Sequence, residues 1–113
     1  MSEANTIMRS RLNLHRALVE ALGSEENVYF VPQESVELDY PCIIYTLNRL
    51  RDVKADNRNY LPRQSYMITF ITTDPDTDEA EAVIDAIREI PYTSYDRNYI
   101  ADNLSHWVFT TYI

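Results

Sequence analysis

The chain has 113 residues, of which 45% are hydrophobic and 12% aromatic, and its 18 acidic and 10 basic residues give a formal net charge of -8. This length fits one domain with a substantial core and is too short for two, so we expect a single domain over residues 1–113. The negative charge opposes generic attraction to phosphate backbones and anionic membranes, so sequence-independent nucleic-acid binding is disfavoured.

The cysteine content and the N-terminal sequence predict the compartment of synthesis. Cys42 is the only cysteine, cannot form an internal disulfide and lies in an apolar run, where a buried thiol is expected. Residues 1–14 lack the apolar segment of a secretory signal, and no stretch of about 18 apolar residues could span a membrane. We therefore expect synthesis in a reducing cytoplasm and no membrane partner.

The first predicted element is a helix. Apolar residues recur at three- and four-residue spacing from Thr6 to Leu22, with Asn5 or Thr6 as the candidate N-cap. Gly23 follows where a left-handed residue commonly ends a helix. Because Gly23 is the only glycine, a glycine-rich phosphate-binding loop is excluded.

Three strand-like segments and a connector come next. Residues 28–31 predict a short strand, and the apolar run Cys42–Leu47 after Pro41 predicts a buried one. Residues 66–73 alternate and predict a strand that pairs with residues 42–50. The connector, residues 48–64, has no evident periodicity, so we expect a long loop there.

The second predicted helix starts at Asp74-Pro75-Asp76 and runs to about Ile90. Asp74 is the expected N-cap, Pro75 suits the first helical position, and the acidic residues favour the positive end of the helix dipole. The core-facing residues would be Ala80, Val83, Ile84 and Ile87.

The last two predicted elements form a hairpin. Residues 92–100 and 104–113 are rich in aromatic and β-branched side chains, and the break at Ala101-Asp102-Asn103 suits a tight turn. The order is helix, three strands, helix, two strands. It predicts the α+β class, with a small antiparallel or mixed sheet and two helices packed on one face.

Residues with catalytic or ligand chemistry are scattered. His15, His106 and Cys42 do not have zinc-site spacing, and the acidic cluster at residues 74–81 lacks the spacing and the glycine of an EF-hand loop. His106 is expected to be a structural or interface imidazole, and no nucleophile-base pair is recognisable. We therefore expect no catalytic, metal-binding or cofactor-binding residues.

Charge is segregated within the connector, which holds half of all basic residues. This concentration predicts a contact segment that docks on an acidic surface of another copy, such as the helix around Asp78 to Glu89, or on a different protein; a soluble hairpin tip is the alternative. The nine tyrosines favour an interface, or cross-strand pairs on an exposed sheet face. The expected contact residues are Arg49, Arg51, Lys54, Arg58 and Arg63, with Tyr60 as an aromatic anchor.

Several short segments together resemble one protein family. They are the helix start, the strand Tyr40–Tyr45, the region of Ala55-Asp56-Asn57 and Tyr60, the strand 66–73 running into Asp74-Pro75-Asp76, and the closing residues 102–106. From Ile7 to Ile113 the chain resembles the tail terminator, or tail completion and tail-to-head joining, proteins of long-tailed bacteriophages.

The resemblance implies a structural role. A small α+β subunit would form a ring, typically hexameric, on the last ring of the tail-tube protein, end tube growth and face the head connector protein. The protein would be made in the host cytoplasm and reside at the head-tail interface of the virion, with DNA only passing through as cargo. Asp102, Asn103 and His106 are implied to fix the final hairpin, and Pro41 and Tyr45 to set the second strand.

Two other functions remain open from the sequence. A small acidic protein could inhibit a nucleic-acid-binding enzyme by charge mimicry, although the basic connector would interrupt an extended mimic. A small hydrolase or transferase would need a reaction centre that the sequence does not display.

Overall fold

The computed structural model describes the backbone of residues 3–32, 37–55 and 59–112, and the side chains of residues 11–32, 37–47 and 65–112. It contains two helices and five strands in the predicted order. The elements are α1 (Glu3–Leu22), β1 (Val28–Phe30), β2 (Cys42–Ala55), β3 (Asn59–Thr72), α2 (Asp78–Arg88), β4 (Thr93–Ala101) and β5 (Leu104–Tyr112).

The strands form one mixed sheet in the order β1-β2-β3-β5-β4. The short strand β1 runs parallel to β2, and each of the other neighbouring pairs is antiparallel. The α+β class and the element order predicted from the sequence are therefore confirmed.

The core lies between the sheet and the two helices. Alternate residues of the central strands turn toward the helices and are buried there, as the pleat of a strand requires. Each buried Leu, Ile or Phe contributes roughly 1.5–3 kcal/mol relative to an exposed one. The main members are Leu14 and Leu18 of α1, Ile43 and Tyr45 of β2, Tyr66, Ile68 and Phe70 of β3, Ala80, Val83 and Ile87 of α2, and Phe109 of β5.

The end of α1 was predicted correctly, and its beginning was not. Gly23 has a φ of 79°, and its N–H donates to the carbonyl oxygen of Val19 at 2.8 Å, so the left-handed C-terminal residue is confirmed. The helix begins at Glu3, so Asn5 and Thr6 lie within the helix and the predicted cap is wrong. Polar residues at both positions are compatible with a first turn as well as with a cap, and the sequence alone does not separate the two.

The start of α2 also differs from the prediction. The N-cap is Thr77, whose hydroxyl accepts a hydrogen bond from the N–H of Ala80 at 3.1 Å. Asp74, the predicted cap, accepts instead from the N–H of Asp76 at 3.0 Å and so makes a turn before the helix. The predicted inner face is correct, because Ala80, Val83 and Ile87 are buried and Ile84 packs against the core.

The connector predicted as a loop is the largest difference. Strands β2 and β3 continue through it, with paired residues from Arg49↔Ser65 to Ala55↔Asn59 after a β-bulge at Leu47/Arg49. The prediction of a loop over residues 48–64 is therefore wrong. β5 pairs only with residues 65–72 of β3, so this part is a two-stranded antiparallel ribbon. Residues 48–64 lack the hydrophobic alternation by which a strand is recognised in a sequence, so this extension was not predicted.

The ribbon makes the molecule elongated. At about 3.3 Å per residue, it extends about 20 Å beyond the body of the sheet. The principal-axis extents are 49, 26 and 24 Å, and the radius of gyration is 15.2 Å. A compact chain of this length has a radius of gyration of about 13 Å.

Candidate functional site

Three parts of the protein are candidates for contact with a partner: the ribbon (residues 49–55 and 59–64), the outer face of α2, and the edge strand β4. In the described part of the chain, no group of three or more His, Cys, Asp or Glu residues is placed to hold a metal ion. Neither described helix is long and apolar enough to cross a membrane.

Cys42 lies in the body of β2, where it is buried. Burial raises the pKa of its thiol to about 11, so the thiol is protonated at neutral pH and is not a poised nucleophile. The predicted core position of Cys42 is confirmed.

His15 belongs to a packed cluster between α1 and the sheet. Its Nδ1 is 2.7 Å from the hydroxyl oxygen of Tyr45. Burial raises the pKa of Tyr45 to about 12. The Arg11 guanidinium stacks over the Phe30 ring at 4.5 Å and flanks the same cluster. With Tyr45 buried, this group joins α1 to the sheet and offers no accessible acid-base pair.

A cleft of about 330 Å³ opens between the end of α1 and the start of α2. Its apolar floor includes Leu22 and Phe70. The hydroxyls of Thr72 and Thr77 at its rim both donate to the carbonyl oxygen of Asp74, at 3.5 and 3.4 Å. Both of these hydroxyls are therefore occupied as donors, and neither is a free nucleophile.

The hairpin between β4 and β5 is built as predicted. Asp102 and Asn103 form its two-residue turn with φ values of 53° and 63°, both in the left-handed region that a type I′ turn requires. Asp and Asn tolerate this region better than most other residues with a side chain. Ala101 and Leu104 are paired directly beside the turn.

His106 joins the two strands of this hairpin through its ring. The ring stacks on Tyr99 of β4, with centroids 4.6 Å apart and planes tilted by 10°. Its Nδ1 is 3.1 Å from the carbonyl oxygen of Leu104. A carbonyl oxygen can only accept, so Nδ1 carries the proton in this contact. His106 thus lies in the hairpin for which the sequence suggested a structural role.

The structure distributes the predicted contact residues along both strands of the ribbon. Arg58 lies outside the described residues. The register places Arg51 opposite Arg63 and Lys54 opposite Tyr60, while Arg49 is opposite Ser65. Strand pairing therefore places Arg51 and Arg63, which are separated in the sequence, directly opposite each other.

The outer face of α2 is the acidic counterpart of the ribbon. Arg88 is the single basic residue of this helix. The exposed carboxylates on the helix and its C-cap belong to Asp78, Glu79, Glu81, Asp85 and Glu89. The ribbon projects from the end of the sheet opposite Thr72, after which α2 begins, so the ribbon extends away from the start of α2.

The edge strand β4 is a surface that sequence reasoning missed. Nearly all of its residues are exposed. Ile100 is 78% exposed, and Tyr92, just before the strand, is 81% exposed. The aromatic and β-branched residues that predicted a strand here did not indicate that one edge of it would stay unpaired, because edge position depends on strand order.

No protein-family model matches the chain, and no curated protein is significantly similar to it.

Proposed function

We propose that this chain is a structural subunit of a bacteriophage tail that assembles into a ring on the end of the tail tube. The ring is a hexamer, as the family resemblance implies. The ring ends tube growth and joins the tail to the head connector protein. The observation that carries the proposal is the presence, on one subunit, of a projecting basic ribbon and a separate acidic helix face. The proposal also rests on the sequence resemblance to tail terminator proteins.

A ring requires two different surfaces on each subunit. In a closed cyclic assembly the contact is head to tail, so one patch of each copy meets another patch of the next. The basic ribbon and the acidic face of α2 are chemically complementary and are separated along the molecule. Complementary charge orients such docking and disfavours the reversed arrangement, in which like charges would meet.

The register of the ribbon supports a partner of negative charge. Arg51 and Arg63 occupy directly opposite positions, where like charges destabilise a strand pair. A neighbouring carboxylate surface offsets this repulsion. The acidic residues of the subunit also disfavour adhesion of DNA to the assembly, which suits a ring that passes DNA without binding it.

The direct test is the mass of the protein by light scattering after size exclusion, over a concentration series, alone and with purified tail-tube protein. We expect closed rings, or ring-sized caps on short tubes. A monomer that ignores tubes at every concentration would contradict the proposal and favour the acidic inhibitor.

Charge exchange tests the head-to-tail contact. The ribbon variant Arg51→Glu/Arg63→Glu keeps a like-charge pair but reverses its sign, and the helix variant Glu81→Arg/Asp85→Arg brings the net charge of residues 78–89 from -4 to 0. Each variant alone should lose self-association at least tenfold, because the first puts a negative ribbon opposite the acidic face and the second removes the net charge that attracts the ribbon. An equimolar mixture should assemble again, as alternating rings with an even number of subunits.

A matched control separates local contact from net charge. The variant Leu12→Glu/Asn13→Glu/Arg16→Glu changes exposed residues of α1. Its formal charge falls by 1 + 1 + 2 = 4 units, the same as the 2 + 2 units of the ribbon variant, so both carry -12 instead of -8. It should assemble like the wild type. Equal loss in the control and the ribbon variant would indicate general repulsion, and failure of the mixture to assemble would count against the ribbon-helix contact.

A further inference from the structure

We infer that the open edge of β4 receives the ribbon of a second copy, so that the sheet continues from one subunit into the next; this rests on the self-association proposed above and locates its acceptor surface. The occupant is thus a strand of the same chain, held by main-chain hydrogen bonds. Addition of a strand to an exposed sheet edge is a common mode of protein recognition.

The backbone groups available at this edge follow from the ladder between β4 and β5. The N–H of Tyr112 donates to the carbonyl oxygen of Tyr92 at 3.2 Å. Bonding direction alternates along an antiparallel strand, so the residues opposite odd-numbered positions of β5 direct their N–H and C=O groups away from β5. In the register of β4 and β5, these outward-directed residues are Thr93, Tyr95, Asn98 and Ile100.

The charged side chains of β4 do not block its free edge. Proteins often guard a free edge with a bulge or a charged side chain, and β4 has a bulge between Tyr95 and Arg97. However, Thr110 of the neighbouring strand donates a hydrogen bond to the Asp96 carboxylate at this bulge. The Arg97 guanidinium lies 5.9 Å from the centre of the Tyr99 ring. The Asp96 carboxylate and the Arg97 guanidinium thus contact other side chains of the sheet and leave the backbone groups at the free edge uncovered.

The charge next to this edge matches the ribbon. One flank of α2, with Glu79 and Val83, lines the cleft that it shares with the end of α1. Helix geometry places Glu81 and Asp85 on the other flank, about 120–160° around the axis from those residues, and this flank lies on the β4 side because α1 covers β1 and β2. Arg88 lies about 20–60° around the axis from Glu81 and Asp85, so this flank carries two exposed carboxylates and one guanidinium. A basic strand added to β4 would therefore lie beside a flank whose net charge is negative.

The ribbon is also suited in length and in bonding capacity. Beyond the body of the sheet, the outer edge of β3 has no partner among the described strands, because β5 pairs only with residues 65–72. This outer edge spans Asn59–Gln64, and β4 has nine residues, so an entire ribbon strand fits along it. The opposite sheet edge, β1, has only three residues and therefore offers fewer main-chain groups for hydrogen bonds to an added strand.

Proline substitution tests the main-chain contact. Ile100→Pro removes an outward N–H that β5 does not use, whereas the matched variant Ile100→Thr changes the side chain and keeps the N–H. We expect Ile100→Pro to weaken self-association at least tenfold in the light-scattering series, and Ile100→Thr to change it less than threefold. The thermal unfolding midpoints of the Ile100→Pro and Ile100→Thr variants, measured as monomers, should agree within a few degrees.

Cross-linking gives a second measurement that does not depend on a proline variant folding. Subunits with Asn98→Cys are mixed with isotope-labelled subunits carrying Tyr60→Cys, and oxidised products are identified by mass. We expect mixed disulfide dimers well above the yield with Arg16→Cys on α1 as the control partner.

The outcomes distinguish this inference from the proposed function. If the wild type assembles but Ile100→Pro assembles equally well and no mixed disulfide forms, the ribbon docks elsewhere and the β4 assignment is wrong. If tubes protect Asn98→Cys from alkylation but no mixed disulfide with Tyr60→Cys forms on them, β4 contacts the tube protein and the inference is likewise overturned. A wild type that never self-associates would overturn both.

Discussion

The two antiparallel hairpins of this protein are stabilised differently. The β4–β5 hairpin has a two-residue turn with both residues in the left-handed region, and β5 packs Phe109 into the core. The β2–β3 hairpin is buried in its lower half but continues as the ribbon, which has no third strand among the described residues. An isolated two-stranded hairpin is only marginally stable in water, so the ribbon depends on the anchored half of the same strands. The β4–β5 hairpin is therefore stabilised by the core, whereas the β2–β3 hairpin extends beyond it.

The largest expected effect is on the core end of the β4–β5 hairpin. Phe109 is fully buried and contacts the Tyr95 ring edge-on, with centroids 5.8 Å apart. Phe109→Ala should lower the free energy of unfolding by about 3–5 kcal/mol, because it removes buried area and leaves a cavity. Urea unfolding measures this. A loss below about 1 kcal/mol would show that this hairpin is no better anchored than the ribbon.

The anchored half of β2 should have a distinct alkaline signature. The pKa of Cys42 is raised from 9.0 to about 11 in the folded protein, so the thiol's contribution to stability is complete below pH 9 and is lost as pH rises through 11. Two pKa units correspond to roughly 2–3 kcal/mol. Unfolding free energies from pH 8 to 10 should fall more steeply in the wild type than in Cys42→Ala, because the contribution of Tyr45 is common to both proteins. Parallel curves would refute the burial of this thiol.

The turn of the β4–β5 hairpin provides an intermediate effect. Asn103→Val should cost about 1–2 kcal/mol of stability, because a β-branched residue is strained at positive φ. Asn103→Gly should be neutral or slightly stabilising, since glycine adopts this conformation readily. Thermal unfolding of both variants makes the comparison, and equal midpoints would mean that the turn conformation is not required.

The smallest effect on stability should come from the ribbon, where the substitution is expected to raise the free energy of unfolding instead of lowering it. Arg63→Glu replaces a like-charge pair with Arg51 by an opposite-charge pair, which favours the ribbon by roughly 0.2–1 kcal/mol. The same variant should weaken self-association, because the ribbon loses basic charge. Urea unfolding and light scattering on one sample test both signs, and Arg63→Gln serves as the neutral comparison. A variant that is both less stable and equally associative would remove the ribbon from the proposed interface.

The sequence predicted those parts of the fold that a buried face or a special backbone angle governs. Helical spacing and Gly23 identified α1 and its end, and Asp102-Asn103 identified the final turn. The ribbon was missed because residues 48–64 lack the periodicity by which a strand is recognised in a sequence, and the true caps were missed because several polar residues compete at each helix start. Basic residues of the ribbon stood out by composition, but the opposition of Arg51 and Arg63 required the register. The open edge of β4 could not be anticipated, since strand order follows from the whole topology.

The ribbon is a direct continuation of the second and third strands of the sheet, and this has a mechanical consequence. A flexible loop would let a neighbour hold the subunit while its body swings, but a pleated ribbon transmits torque to the strands from which it extends. A partner that grips the ribbon therefore also sets the tilt of the core. In a ring built this way, the angle between successive subunits would be determined by the twist of the ribbon, and the width of the central opening would follow from that angle.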